Sequence, residues 1–127
     1  VAAATAYEKD LRERFEGPPR FDLILLGMGA DGHVASLFPG SPTLEEKDRL
    51  VAVSQDPDGM ARLTFTLPLI NAARAVAILV SGEGKAAMLK RILGAGARDE
   101  GLPAQRVRPD AGDLIWIVDE AAGSSIL

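Results

Sequence analysis

The residues best suited to chemistry lie in one short segment, residues 27–33, which reads Gly-Met-Gly-Ala-Asp-Gly-His. His33 is the only histidine of the chain, and imidazole is the side chain most readily used as a general base at neutral pH. Asp31 lies two residues earlier, where its carboxylate could orient the imidazole or stabilise the imidazolium ion. The same carboxylate could instead cap a short helix that begins near Gly32, so both roles stay open.

Three glycines, Gly27, Gly29 and Gly32, surround these side chains and allow positive φ angles and close approach of a ligand. Backbone N–H groups around Gly29, Ala30 and Gly32 could hold a developing oxyanion or another substrate oxygen. The alternative is a tight turn with no contact to a ligand. Residues 21–26, just before the glycines, form an apolar run that predicts a parallel strand covered on both faces. Small molecules bind at the carboxyl ends of such strands in open α/β sheets.

The glycine spacing also matches the dinucleotide-binding fingerprint, which requires a full helix directly after the turn. Here the helical stretch predicted for residues 33–38 is stopped after about two turns by Pro39, Gly40 and Pro42. The acidic residue that would bind a ribose is also poorly placed, because Asp56 lies in a predicted turn. We therefore expect no nicotinamide cofactor, and no other cofactor is indicated.

Two cations are candidates for holding an anionic substrate. Lys85 follows a predicted buried strand and a Ser-Gly-Glu-Gly turn and begins a predicted helix, where free N–H groups and a lysine suit phosphate. Arg62 precedes an alternating strand, and its guanidinium suits phosphate or carboxylate, although a surface salt bridge explains it as well. Ser36 lacks the surroundings of a nucleophilic serine and receives no covalent role. With no cysteine and one histidine, no metal site is predicted.

The chain has 127 residues, 47% of them hydrophobic, which is enough for a single domain with its own core. Its net charge of −4 argues against nucleic acid as a partner. No segment approaches the ~20 apolar residues of a membrane span. The absence of cysteine is compatible with a reducing cytoplasm, the expected location. The sequence does not determine the oligomeric state.

Alternation of helical and strand patterns predicts an α/β fold with a mainly parallel open sheet flanked by helices, of Rossmann-like type, over residues 1–127. Strands are predicted at residues 21–26, 50–53, 62–67, 76–80 and 114–118. Helices are predicted from about residue 4 to 15, from 68 to 74, from 85 to 93, and from Asp119 onward.

Residues 21–39, from Phe-Asp-Leu-Ile-Leu-Leu through the glycine segment to Val-Ala-Ser-Leu-Phe-Pro, resemble the central signature of the 6-phosphogluconolactonases. These enzymes belong to a wider sugar-phosphate family with the glucosamine-6-phosphate deaminases/isomerases. Weaker similarity continues at residues 62–68, 80–86, 102–104 and 114–119, in the order of the family. The resemblance implies hydrolysis of 6-phospho-D-glucono-1,5-lactone without cofactor or metal. It also implies that His33 is the base and that Arg62 and Lys85 contact the anionic substrate.

Phe38 separates the two branches of this family. The deaminase branch carries a glutamate at that position, used for proton transfer during ring opening, and phenylalanine carries no proton. Leu-Phe-Pro at residues 37–39 matches the lactonase branch, so deamination is the less favoured alternative.

Members of the family are about twice as long, and their amino-terminal half adds a glycine- and serine-rich loop that helps to hold the phosphate. We therefore expect this chain to be the carboxyl-terminal half of a longer lactonase. A non-catalytic fragment that only binds a sugar phosphate is the alternative.

Overall fold

A computed structural model describes residues 1–126 of the chain. The α-helices are α1 (Ala2–Arg14), α2 (Leu67–Asn71) and α3 (Ala86–Leu93). The strands are β1 (Ile24–Gly27), β2 (Val51–Gln55), β3 (Ala61–Phe65), β4 (Ala75–Val80) and β5 (Asp113–Val118). Short 3-10 helices occupy Pro42–Glu45, Glu83–Lys85 and Pro103–Arg106. No helix among residues 1–126 is long and apolar enough to cross a membrane.

Strands β1, β4 and β5 form a parallel sheet in the order β1-β4-β5, with β4 in the centre. Strands β2 and β3 form a separate antiparallel hairpin, joined by a turn at residues 56–60. This arrangement confirms the predicted α/β fold with a mainly parallel sheet. Because β1 and β4 are adjacent and parallel, the segments that follow them, one with His33 and one with Lys85, leave the same edge of the sheet.

One face of the sheet carries the main hydrophobic core. Leu26 and Ile78 are register partners on this face, and both are buried. They pack in one cluster with Leu89 of α3 and with Val34 and Leu37 from the segment after His33. The residues that follow the candidate base are therefore part of the core of the domain.

The opposite face of the sheet is open. Leu25, Leu79, Ile115 and Ile117 lie on it by register, and between 45% and 63% of each residue is exposed. The prediction that β1 is covered on both faces is therefore wrong for this chain, in which one face is covered. A continuous apolar run shows that both faces of a strand are apolar, but it does not show which part of a molecule covers each face.

Helix α1 packs against the hairpin and forms a second, smaller core there. Leu11 of the helix belongs to this core together with Val51 and Leu69. Glu8 anchors the helix, because its carboxylate accepts hydrogen bonds from the backbone N–H groups of Leu50 and Val51. Burial raises the pKa of Glu8, but these bonds and the neighbouring arginine lower it further, so the pKa lies below its ordinary value.

Two predicted helices are absent from the described residues. Residues 34–37 form a tight turn in which the Leu37 N–H donates to the Val34 carbonyl at 2.9 Å. Residues after Asp119 form consecutive turns. The carboxylate of Asp119 accepts the Ala122 N–H, as a helix cap does, but it also accepts the Gly82 N–H from the neighbouring strand end. Asp119, which looks like a helix cap in the sequence, therefore also joins the segments that follow β4 and β5.

Candidate active site

The glycine segment folds into a compact turn directly after β1. The Gly29 N–H donates to the His33 carbonyl, and the Gly32 N–H donates to the Gly29 carbonyl, both at 2.9 Å. Gly32 has a φ of +85°, which favours glycine. Both N–H groups are thus used inside the turn, and their contact with a substrate oxygen stays a prediction.

Asp31 holds His33 at two points. Its Oδ1 accepts the main-chain N–H of His33 at 3.1 Å and lies 2.6 Å from Nδ1 of the ring. When Nδ1 carries the proton of this hydrogen bond, the lone pair of the neutral ring is on Nε2. The His33 side chain is 33% exposed, so solvent reaches it. Because no helix begins at Gly32, the carboxylate orients the imidazole and shapes the turn instead of capping a helix.

The carboxylate of Asp31 is ionised at neutral pH. Burial raises its pKa, but the hydrogen bonds from the main chain and the ring of His33, together with the charge of His33, lower the pKa further. The net pKa lies below the ordinary value of an aspartate. A negative charge therefore faces the imidazole through the neutral pH range, which favours a base that must carry a proton during reaction.

Gly29 leaves room for the imidazole. A Cβ atom at this position would lie 2.2 Å from both Cε1 and Nδ1 of His33 and 2.7 Å from Oδ1 of Asp31. Any other residue would require the imidazole and the carboxylate to shift. Glycine at this position therefore lets the side chains of Asp31 and His33 lie close to the backbone, a requirement that the sequence pattern did not specify.

Phe38 packs against His33, with ring centroids 4.8 Å apart and the ring planes at 43°. The turn at residues 34–37 reverses the chain between them and brings the two rings together. In the sequence, Phe38 only distinguishes the lactonase branch of the family from the deaminase branch. Its contact with the imidazole was missed, because residues 33–38 were expected to be helical.

A cleft of about 750 Å³ opens beside Asp31 and Phe38. Asp31 and Phe38, which both contact His33, line the cleft together with Ser54 and Asp56 of the hairpin, whereas His33 lies behind them and is not a lining residue. None of the described residues that line the cleft is a lysine or an arginine. The cleft therefore suits the uncharged part of a small polar molecule better than its phosphate group.

Lys85 lies at the neighbouring strand end and reaches the same turn. Its Nζ donates to the carbonyl of Met28, the residue before Gly29. Asp119 holds the preceding turn through the Gly82 N–H. The structure thus brings Lys85 and the His33 turn together, although the two residues are far apart in the sequence.

Arg62 lies on β3 and is paired with Asp56, with 3.1 Å between Nη2 and Oδ2. The structure does not bring it into contact with the His33 turn, and the salt bridge considered from the sequence is present. Gly27 ends β1 on the open face, and a Cβ there would meet no atom within 4 Å. Substrate contacts through Arg62 and Gly27 stay predictions.

The sequence profile of the glucosamine-6-phosphate isomerases/6-phosphogluconolactonases matches residues 1–116. The chain belongs to this family. It is 51% identical over 124 residues to 6-phosphogluconolactonase from Bos taurus, and the match covers 94% of this chain and 48% of that protein. The same protein from Homo sapiens is 50% identical over the same shares of both chains.

A solved structure of 6-phosphogluconolactonase from Trypanosoma brucei superimposes with a TM-score of 0.85 at 30% identity. The match covers 99% of this chain and 53% of the other. The fold is therefore that of the family. The chain spans about half the length of the curated relatives that it matches.

Proposed function

We propose that the protein containing this chain hydrolyses 6-phospho-D-glucono-1,5-lactone to 6-phosphogluconate, with His33 as general base. The observation that carries the proposal is the solvent-accessible Asp31–His33 pair, 2.6 Å apart, whose carboxylate lines an open cleft. The name 6-phosphogluconolactonase, borne by relatives about 50% identical, supports the same substrate.

In the proposed reaction, Nε2 of His33 takes a proton from a water molecule while the water oxygen bonds to the lactone carbonyl carbon. The tetrahedral intermediate then collapses and the bond between this carbon and the ring oxygen breaks. The ring oxygen becomes a hydroxyl by taking the proton from the His33 imidazolium, which returns the imidazole to its neutral form. One lactone and one water thus become one hydroxy acid. Asp31 stabilises the imidazolium while it holds the proton, and proton transfer of this kind contributes ~10²–10⁴-fold in rate.

Lys85 is the proposed contact for the substrate phosphate, with Arg62 as a second cation. Lys85 donates to a neutral carbonyl in this structure, and a phosphate oxygen is a stronger acceptor for an ammonium group. Arg62 would have to exchange Asp56 for the substrate or bind it together with Asp56. Because the chain has a net charge of −4, local cations and not the overall field must hold an anionic substrate.

We also propose that the chain acts as the carboxyl-terminal half of a longer cytoplasmic enzyme. The open face of the sheet supports this proposal, since the aliphatic side chains there are of the kind that folded proteins bury. The length of the relatives supports it as well. The alternative, a fragment that binds a sugar phosphate without turnover, makes a different experimental prediction.

The test is the His33→Asn variant of the full-length protein. Lactone hydrolysis is followed by acid release at constant pH, with the spontaneous rate subtracted, and circular dichroism checks the fold. We expect kcat to fall by about 100-fold or more, with an unchanged spectrum, because the side chain is partly exposed. Full activity of His33→Asn would refute the role of the base.

Two further measurements separate the alternatives. Calorimetric binding of 6-phosphogluconate by wild-type protein that does not turn over the lactone would support the non-catalytic binder. Release of ammonia from glucosamine 6-phosphate would support the deaminase, which Phe38 disfavours. We expect lactone turnover and no ammonia.

A further inference from the structure

Two buried hydroxyl side chains of the hairpin hold one residue of the turn after His33. Ser54 Oγ donates to the carbonyl of Ser36 at 2.6 Å, and the Ser36 N–H donates to Thr64 Oγ1 at 3.1 Å. Ser54 and Thr64 are each 4% exposed. We call this pair the hydroxyl clamp. It bonds both polar groups of a single peptide residue, so the main chain at Ser36 is fixed from two sides.

The register of the hairpin places the two hydroxyls next to each other. Ser54 is opposite Arg62, and Thr64 is opposite Ala52, so Ser54 and Thr64 are diagonal neighbours on one face of the hairpin. Thr64 Oγ1 gives its own proton to the Phe65 carbonyl at 2.8 Å, which leaves its lone pairs to accept the Ser36 N–H. The orientation of the clamp is therefore set by the strands themselves.

The clamp acts on the turn that joins His33 to Phe38. Ser36 lies in the middle of this turn, next to Ala35, which has a φ of +50° although it is not a glycine. A positive φ is unfavourable for alanine and persists when the surroundings hold it. Val34 and Leu37, on either side, are completely buried in the core. Core packing and the clamp together therefore determine where the Phe38 ring meets the imidazole.

We propose that Ser54 and Thr64 are positioning residues for the imidazole of His33. This inference rests on the proposed function, in which Nε2 must point at the attacking water. Asp31 holds Nδ1, but one hydrogen bond leaves the ring free to tilt, and Phe38 limits that tilt from one face. Without the clamp, Ala35 relaxes, the Phe38 ring shifts, and Nε2 loses its direction toward the substrate.

Thr64→Val removes the acceptor for Ser36 and keeps the shape of the side chain. In the full-length enzyme we expect kcat to fall about 10- to 100-fold, as a small misplacement of a catalytic group does, with KM within about 2-fold. Thr64→Ser keeps the hydroxyl and restores kcat to within about 3-fold of the wild type. Ser54→Ala acts in the same direction as Thr64→Val.

Thr66→Val is the matched control. Thr66 is fully buried, and its hydroxyl donates to the main-chain carbonyls of Arg49 and Leu50, away from the turn. The same chemical change there lowers the melting temperature but leaves kcat unchanged when assayed well below the melting transition. If Thr64→Val and Thr66→Val lower kcat equally, the loss reflects general destabilisation and the positioning role is overturned.

A spectroscopic measurement separates this inference from the proposed function. The ring signals of His33 in the full-length protein are identified by their loss in the His33→Asn variant, and Phe38 shifts them through its ring current. We expect Thr64→Val, but not Thr66→Val, to move these signals even if the protein fails to hydrolyse the lactone. Unchanged His33 signals in Thr64→Val would overturn the positioning role, whereas missing lactone turnover in the wild type would refute only the proposed function.

Discussion

Replacing Asp31 with asparagine tests how the carboxylate supports His33, because the side chain keeps its shape and loses its charge. The hydrogen bond between Oδ1 and Nδ1 is 2.6 Å long, and bonds to charged groups contribute ~1.5–3 kcal/mol. The two side chains are 42% and 33% exposed, so solvent screening reduces the effect on the protonated imidazole to ~1–2 kcal/mol. At about 1.36 kcal/mol per factor of ten, kcat of Asp31→Asn should fall about 5- to 30-fold.

The assay is the initial rate of lactone hydrolysis by the full-length protein from about pH 5 to about pH 9. Because the pKa of Asp31 lies below its ordinary value, its carboxylate is ionised throughout this range. Any titration seen in the wild-type profile therefore belongs to another group. The free energy of unfolding should also fall at neutral pH, because folding lowers the pKa of Asp31 and therefore favours its ionised form, which asparagine lacks.

Asp22→Asn is the control for loss of a negative charge. Asp22 is 95% exposed and pairs with Arg74 on the surface, away from the His33 turn, so this variant should match the wild type in kcat and KM. If Asp31→Asn keeps more than half of the wild-type kcat, or if only KM rises, the carboxylate does not act on the imidazole during the reaction. The reaction would then not depend on Asp31 to orient the imidazole.

Three further outcomes follow from the same contacts. Gly29→Ala should lower kcat about 100-fold with an unchanged circular dichroism spectrum, because a Cβ there meets the ring of His33 at 2.2 Å. Lys85→Met should raise KM about 10-fold for the phosphorylated lactone, equivalent to ~1.4 kcal/mol, and leave the hydrolysis of unphosphorylated glucono-1,5-lactone unchanged; an equal effect on both substrates would contradict a phosphate contact. Glu8→Gln should lower the free energy of unfolding by ~1–3 kcal/mol at neutral pH, measured by urea denaturation. The pKa of Glu8 is lowered by folding, so the wild type should lose this stabilisation as the pH falls through that lowered value, and the variant should lack that part of the pH dependence.

The sequence determined the local chemistry of this protein. Asp31 and His33 are two residues apart, so their contact depends only on the turn between them, and glycines make that turn possible. The apolar runs predicted the three strands of the parallel sheet, and the alternating pattern predicted β3. Lys85 is a candidate anion contact because a strand, a turn and a helix start are consecutive in the chain, and its substrate contact stays a prediction. Each of these features is set by neighbours within a few residues.

The tertiary structure decided the features that depend on distant residues. Residues 33–38 look helical from their own composition, but Ser54 and Thr64, 18 and 28 positions beyond Ser36, bond its main chain in the turn. The partner of Arg62 and the open face of the sheet likewise follow from how the elements pack. Local sequence patterns describe which conformations a segment can adopt, and contacts from elsewhere in the chain select one of them. For this reason the contact between Asp31 and His33 could be predicted from the sequence, whereas the packing around the imidazole could not.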